Sequence, residues 1–185
     1  MQNMIKYLLV ASSLLLVTAC GSEEVAELPK PVDLTLDATG HFCNMTILDH
    51  PGPKAHAFVK GGEAPFWFTS ARDAIAFSML PESAKSVSVI YVTDMATVAD
   101  WSDTSKGQWI NAREAWYVIE SSKRGGMGAA EAVPFGNQYA AQKFVENFGG
   151  EVVIYADVPR SYVLDANQTR SEERRVGKEC RSRWA

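Results

Sequence analysis

The chain of 185 residues has few of the residues that most often bind metals or form cross-links, with only three cysteines and three histidines. Three cysteines cannot build the dense disulfide framework of a small secreted scaffold. After residue 20, no run approaches the roughly 20 apolar residues of a membrane-spanning helix. The apolar fraction of 46% and the charged fraction of 22% exclude a disordered, collagenous or coiled-coil chain. The sequence therefore predicts a folded domain with a core, of a length that excludes a large multidomain enzyme.

The first residues have the features of an export signal. Lys6 precedes an apolar stretch over residues 7–17, and small residues then lead to a cysteine in Val17-Thr18-Ala19-Cys20. These four residues resemble a bacterial lipobox, in which the cysteine is acylated and becomes the first residue of the mature protein. We expect residues 1–19 to be a lipoprotein signal peptide and residues 20–31 a lipidated cysteine with a tether. The alternative is an ordinary signal peptide whose cleavage site precedes a cysteine.

The last residues differ in composition from the rest of the chain. Six of the fifteen residues in 170–184 are Arg or Lys, and no apolar residue recurs at a helix or strand period. This run resembles the translated read-through of a sequencing adaptor, so we expect 170–185 to be a non-native tail; the alternative is a basic arm for nucleic acid or anionic lipid. Residues 21–169 carry 11 basic and 19 acidic side chains, a net charge of −8. Such a surface does not attract nucleic acid and suits a cationic partner or ligand.

Cysteine usage leaves one thiol in the domain. If Cys20 is acylated and Cys180 belongs to the tail, Cys43 has no partner in an oxidising compartment where thiols normally pair. An unpaired cysteine there is buried and inert, forms an intermolecular bond, or is protected because it binds a soft metal.

The neighbours of Cys43 favour a soft metal. His41, Cys43 and Met45 alternate along the chain, so in an extended segment their side chains project from one face. Thiolate and thioether donors suit Cu(I) better than zinc, which requires four ligands and makes little use of methionine. The alternative is that Cys43 and Met45 are core residues of a strand that continues through Ile47 and Leu48.

A second methionine lies in a glycine-rich loop. Met127 stands within Gly125-Gly126-Met127-Gly128, where the glycines permit positive φ angles and close approach. A polarizable thioether on a mobile loop is suited to close over a soft ion; the alternative is an incidental exposed methionine. The glycine spacing matches neither a dinucleotide-binding nor a phosphate-binding loop. We expect His50 and His56 to be surface histidines and assign them no role.

The order of predicted elements recurs along the chain. In each of two segments, about 40–95 and 112–160, two strands precede a short amphipathic helix and one strand follows it. Ser70 and Asn137 are candidate helix caps, and Gly149 is a candidate helix end. We therefore predict an α+β fold of two similar small β-β-α-β units packed together, with Cys43 and Met127 near their interface. Residues 95–109 are predicted to be a linking loop.

Taken together, five motifs make the chain resemble the NosL family, the accessory lipoproteins of nitrous oxide reductase assembly. The resemblance extends from about Cys20 to Leu164. The motifs are His41-Phe42-Cys43-Asn44-Met45, His50-Pro51-Gly52-Pro53-Lys54, Trp67-Phe68-Thr69-Ser70-Ala71-Arg72-Asp73-Ala74-Ile75-Ala76-Phe77, Ile90-Tyr91-Val92-Thr93-Asp94-Met95 and Gly125-Gly126-Met127-Gly128-Ala129.

The resemblance implies a NosL-like domain over 32–169 that binds Cu(I) and passes it to the copper centres of nitrous oxide reductase. The reductase and the periplasmic face of its associated copper-assembly transporter are the implied partners. A glycine at residue 21, where aspartate would signal inner-membrane retention, implies a periplasmic protein anchored to the outer membrane. The implied copper ligands are Cys43, Met45 and Met127, with Asn44 and His41 as weaker candidates. The family often has glycine at the position of Asn44.

We therefore expect a metallochaperone without catalytic activity. One alternative is a cysteine-dependent lyase acting on organometal bonds, because the repeated units are similar to the fold of organomercurial lyase. A nucleophilic cysteine usually needs a second cysteine or a positioned base, and only His41 is close to Cys43 in the sequence. The other alternative is a structural lipoprotein with a buried thiol.

Overall fold

The computed structural model describes residues 27–164. Cys20, the predicted signal peptide and the predicted tail lie outside these residues. Within the described range, no helix has the length and apolar character needed to cross a membrane.

The described chain contains seven short strands and three α-helices, in the order expected for two repeated units. The first unit contains β1 (Ala55–Val59), β2 (Phe66–Phe68), α1 (Ala71–Met79), β3 (Val87–Thr93) and β4 (Trp109–Asn111). The second contains β5 (Trp116–Ile119), β6 (Val133–Phe135), α2 (Gln138–Phe148), β7 (Glu151–Ile154) and α3 (Arg160–Leu164). Three-residue 3-10 helices occupy Ile47–Asp49, Met95–Thr97 and Tyr155–Asp157.

Each unit is built on its own antiparallel sheet. The first sheet has the strand order β2-β1-β3-β4, and the second has the order β6-β5-β7. In both, two sequential strands pair, a helix follows, and the next strand pairs with the first strand of the unit. The predicted α+β fold of two β-β-α-β units is therefore confirmed.

The predicted helix boundaries are confirmed by their caps. The Ser70 side chain accepts a hydrogen bond from the Asp73 amide at the start of α1. Asn137 does the same for Ala140 at the start of α2, which satisfies one of the amides that a helix start leaves unpaired. Gly149 ends α2 with a φ of 68°, in a region that glycine enters without steric cost.

The two units share a hydrophobic core, as expected from their small size. Ala71, Ala74 and Ile75 on α1 are completely buried, as is Tyr117 on β5. These residues belong to one cluster that contains side chains from both sheets. Small residues on α1 permit the close approach that this packing requires. A second cluster lies between α2 and its own sheet.

Two elements differ from the sequence prediction. The predicted linking loop, 95–109, ends in β4, whose three residues pair with the end of β3 from Tyr91 to Thr93. Helix α3 was not predicted; its Tyr162 and Val163 are buried against the shared core. Both elements are too short to give a periodic pattern in the sequence.

Candidate metal centre

Cys43 lies in a compact turn and not in an extended segment. The Gly40 amide donates to the Met45 carbonyl oxygen at 2.9 Å, and the Asn44 amide donates to the Gly40 carbonyl oxygen at 2.8 Å. Asn44 has a φ of 54°, which reverses the chain direction. The prediction that His41, Cys43 and Met45 share one face of a strand is therefore wrong, because alternation holds only for extended backbone.

The two sulfur-bearing residues of this turn are partly exposed. Cys43 is a free cysteine of intermediate burial, and Met45 is 40% exposed. Ile47 is fully buried, but it belongs to a short 3-10 helix and not to a strand. Cys43 and Met45 are therefore not members of a core strand, which removes the basis of the alternative in which Cys43 is a buried, inert thiol.

The two weaker candidates have different surroundings. The ring of His41 packs against Phe66, with centroids 4.6 Å apart, and against Phe77 at 5.3 Å. Asn44 is exposed and borders a groove of about 420 Å³ that continues along Thr39 and Ala64. The left-handed backbone of Asn44 favours glycine and tolerates asparagine, so the residue type at this position follows from the turn.

Met127 lies at the tip of a closed loop. The Gly125 amide donates to the Ala129 carbonyl oxygen, and the Gly128 amide donates to that of Gly125, both at 2.9 Å. Gly128 has a φ of 76°. Met127 is 49% exposed, so its thioether contributes little to the core and is accessible to an ion.

The Cys43 turn and the Met127 loop converge on one residue, Thr69, just before α1. A Cβ atom built on Gly40 would lie 2.5 Å from Cys43 Sγ and 3.5 Å from the Thr69 methyl carbon. A Cβ atom built on Gly126 would lie 3.0 Å from the Thr69 carbonyl oxygen. Close packing against backbone atoms therefore requires glycine at 126, whereas at Gly40 the close contact is with the end of the Cys43 side chain. The Met127 loop belongs to the second unit and Thr69 to the first, so this contact lies between the two units.

A buried carboxyl group lies beneath the Met127 loop. Glu131 Oε1 accepts hydrogen bonds from Ser70 Oγ at 3.1 Å and from the amides of Arg72 at 3.0 Å and Ala132 at 2.9 Å. Glu131 Oε2 has no hydrogen-bond partner among the described residues. Burial raises the pKa of Glu131 to about 8, against the lowering effect of these hydrogen bonds.

The turn at residues 50–52 supports the same loop. His50 Nδ1 donates to the Gly126 carbonyl oxygen at 3.1 Å. Buried Lys54 donates from Nζ to the carbonyl oxygens of all three residues of the turn. Burial lowers the pKa of Lys54 to about 8, although Glu131 acts in the opposite direction. His50 is half-buried and holds the loop, so the expectation of a surface histidine without a role is wrong.

His56 is also not a surface residue. Its side chain is completely buried on the outer face of the first sheet, between the rings of Trp67 at 4.7 Å and Trp109 at 4.6 Å. Its Nε2 accepts a weak hydrogen bond from the Val32 amide at 3.4 Å. Burial lowers the pKa of His56 to about 4. The predicted tether therefore ends in contact with the sheet, where Pro29 also accepts a hydrogen bond from the Tyr91 hydroxyl.

Sequence reasoning missed the residues on which the two loops rest. Ser70 was recognised only as a helix cap, and Glu131 was not considered. One signal was present: Glu131 is the single charged residue in the otherwise apolar run Ala129-Ala130-Glu131-Ala132-Val133. Across 27–164, no group of three or more His, Cys, Asp or Glu side chains is arranged to hold a metal ion.

Comparisons with known proteins find matches in one family. The NosL family model matches residues 31–163. The chain is 45% identical over 175 residues to the copper-binding lipoprotein NosL of Achromobacter cycloclastes, covering 94% of this chain and 90% of that one. It is 31% identical over 151 residues to the copper-binding lipoprotein NosL of Stutzerimonas stutzeri, covering 81% and 77%.

A solved structure supports the same assignment. The crystal structure of the copper chaperone NosL from Shewanella denitrificans superposes with a TM-score of 0.66 at 31% identity, covering 71% of this chain and 97% of that one. The two-unit α+β fold is thus shared with a solved copper chaperone. The chain belongs to the NosL family.

Proposed function

We propose that this protein is a periplasmic, lipid-anchored Cu(I) metallochaperone that supplies copper for the copper centres of nitrous oxide reductase. The observation that carries the proposal is the convergence on Thr69 of two loops, one bearing Cys43 and Met45 and the other Met127. Its relatives in Achromobacter cycloclastes and Stutzerimonas stutzeri are named copper-binding lipoproteins, which agrees with this chemistry.

The donor types suit monovalent copper. A thiolate and thioethers are soft ligands, and soft ligands select Cu(I) over harder ions. In this proposal Cys43 is the strongest donor, and Met45 and Met127 are weaker donors that let the ion leave. Asn44 and His41 are secondary candidates. Copper is cargo here and not a resident cofactor, so the protein carries out no catalytic step.

The lyase alternative receives less support from the site. A nucleophilic cysteine requires a base within hydrogen-bond reach. The candidate closest in sequence, His41, has its ring packed against Phe66 and Phe77. In the described part of the chain, Cys43 is the single free cysteine, so no second thiol completes a pair. We therefore favour metal transfer over bond cleavage.

The first experiment measures Cu(I) affinity anaerobically by competition with a chromophoric Cu(I) chelator. Cys43→Ser replaces a thiolate with a hard, protonated oxygen, so tight binding should be lost. Met127→Leu keeps the volume and removes the thioether. We expect it to weaken binding on the order of tenfold, or about 1.4 kcal/mol, with no loss of thermal stability.

Two results would contradict the proposal. One is an unchanged Cu(I) affinity in both variants, and the other is one-to-one zinc binding that is tighter than Cu(I) binding. Met79→Leu serves as a matched control, because Met79 packs beside the core on α1 and away from both loops. This variant should retain the wild-type Cu(I) affinity.

The proposed partners call for a transfer experiment. The Cu(I)-loaded protein, mixed anaerobically with the copper-free reductase, should lose its copper as the reductase gains it. The Cys43→Ser variant, incubated with the same total copper, sets the background for free ions. Equal transfer from both proteins would remove the reductase from the list of direct partners.

A further inference from the structure

Glu131 connects the end of the Met127 loop to the start of α1, two segments that are far apart in the sequence. Its carboxyl group is completely enclosed, and it accepts hydrogen bonds from Ser70 Oγ and the Arg72 amide at the start of α1. Burial of a carboxyl group is costly unless hydrogen bonds compensate for it. Here these bonds tie the chain that leaves the Met127 loop to the first turn of a helix in the other unit.

The Met127 loop rests directly on this carboxyl group. A Cβ atom on Gly125 would lie 2.5 Å from Glu131 Oε2, so the loop backbone is in contact with the carboxyl oxygen. The next residue, Gly126, has equally little space, because its Cβ would lie 2.7 Å from His50 Cβ and 3.1 Å from the Pro51 carbonyl oxygen. The internal hydrogen bonds of the loop fix its shape. Its position on the protein therefore depends on its contacts with Glu131 and with the turn at residues 50–52.

The Cys43 turn also packs against the residues just before α1. Gly40, against which Cys43 Sγ packs, contacts the Thr69 methyl group. Thr69 is followed by Ser70, which donates to Glu131. Thr69 therefore contacts the Cys43 turn, and the next residue, Ser70, is hydrogen-bonded to the carboxyl group that supports the Met127 loop. A shift of Glu131 relative to Ser70 changes the distance between the two loops.

We propose that Glu131 is a positioning residue that fixes the Met127 loop against the Cys43 turn through its hydrogen bonds to the start of α1. The proposal rests on the proposed Cu(I) site and adds a residue that does not touch the ion. Residues that orient metal ligands from behind typically change metal affinity by about 10- to 100-fold when they are mutated. Glu131 acts on copper only through Met127.

The test is a double-mutant cycle on Cu(I) affinity. Gly125→Ala places a methyl group against Glu131 Oε2 and so disturbs the contact between loop and carboxyl group, and Glu131→Ala removes the support itself. Each change is made in the wild type and in the Met127→Leu background. We expect each to weaken Cu(I) binding about tenfold in the wild type and by less than about twofold when the thioether is already absent.

The chain provides a matched control. A Cβ atom on Gly136 would lie 2.5 Å from Asp94 Oδ2, which is the same steric conflict with a buried carboxyl group as at Gly125. Gly136 begins the approach to α2 and lies outside both loops. Gly136→Ala should therefore leave the Cu(I) affinity unchanged. Glu131→Gln, which can still accept the hydrogen bonds to Oε1, should restore most of the affinity lost in Glu131→Ala.

Two spectroscopic readouts separate positioning from general destabilisation. X-ray absorption should count one sulfur donor fewer around Cu(I) in Gly125→Ala than in the wild type. In the metal-free protein, the NMR signal of the His50 ring proton that bonds to the Gly126 carbonyl oxygen should exchange faster in Gly125→Ala than in Gly136→Ala. This second readout tests the docking of the loop without copper.

The outcomes are distinct. Equal losses of affinity in both backgrounds, or an unchanged His50 signal and sulfur count in Gly125→Ala, would overturn the positioning role. An affinity that does not depend on Cys43 would instead overturn the proposed function, and the His50 signal would still decide whether Glu131 supports the loop.

Discussion

Buried His56 should make the protein sensitive to acid. The imidazole lies between Trp67 and Trp109 with no exposed surface, and burial lowers its pKa from 6.5 to about 4. Protonation also removes the Nε2 lone pair that accepts from the Val32 amide. Between pH 6.5 and 4, the unfolded chain therefore binds a proton at this residue that the folded chain does not bind. The free energy of unfolding falls as the pH decreases through this window.

The size of the effect follows from the difference in pKa. A pKa difference of 2.5 between unfolded and folded states corresponds to about 3 kcal/mol over the whole window. When the pH falls from about 7 to 4.5, the free energy of unfolding loses most of this contribution, about 2 kcal/mol. Glu131 opposes the trend, because its raised pKa makes the folded state more stable as the pH falls from about 8 towards 4.5. A comparison of the wild type with a His56 variant therefore isolates the contribution of His56 better than the pH dependence of wild-type stability alone.

The assay is urea unfolding at the two pH values in the wild type and in His56→Gln. Glutamine does not titrate and retains an acceptor for the Val32 amide, so the variant should lose about 2 kcal/mol less stability on acidification. His41→Gln is the control, since His41 also packs against an aromatic ring, that of Phe66, but is exposed to solvent. An equal loss of stability in wild type and His56→Gln would refute the assignment of a neutral buried imidazole.

Three further predictions concern the ends of the chain and the role of methionine. Removal of residues 170–185 should change neither the melting temperature nor Cu(I) binding; a lower value of either would show that the tail is native. Cys20→Ser should abolish lipid attachment and release or misprocess the protein, whereas an unmodified N-terminus on the wild type in mass spectrometry would contradict the anchor. Met127→Leu should leave the free energy of unfolding unchanged, whereas Met95→Ala should lower it by about 2–5 kcal/mol, because Met95 is 8% exposed and packs in the second core. If both variants lowered the free energy of urea unfolding equally, Met127 would be a packing residue like Met95.

Local rules were sufficient to predict the repeated units. The helix boundaries follow from caps that act within one turn, such as Ser70 with Asp73 and Asn137 with Ala140. The strands follow from runs of apolar and β-branched residues such as those of β3. Such signals involve only a few neighbouring residues, so they can be recognised from the sequence alone.

The shape of the site depended on contacts that are distant in sequence. The segment from His41 to Met45 alternates as a strand would, yet it forms a turn, because Asn44 adopts a positive φ and the Gly40 amide bonds to Met45. The contact between Ser70 and Glu131 joins residues 61 positions apart. Residue type and spacing carry no direct information about such a pair. The candidate donors could be proposed from their chemistry, whereas the residues that support them could not.

The exposure of the donors bears on how an ion would leave the proposed site. Ligand exchange at Cu(I) requires an incoming donor to reach the ion before the outgoing donor departs. The Met45 and Met127 side chains are 40% and 49% exposed, so a partner's sulfur or imidazole can approach without opening the core. Beneath the Met127 loop, Glu131 and Lys54 are buried; Glu131 contacts the loop directly, and Lys54 holds the 50–52 turn that supports it. The proposed site thus combines exchangeable candidate donors at the surface with a fixed support below the Met127 loop, which suits cargo better than a resident cofactor.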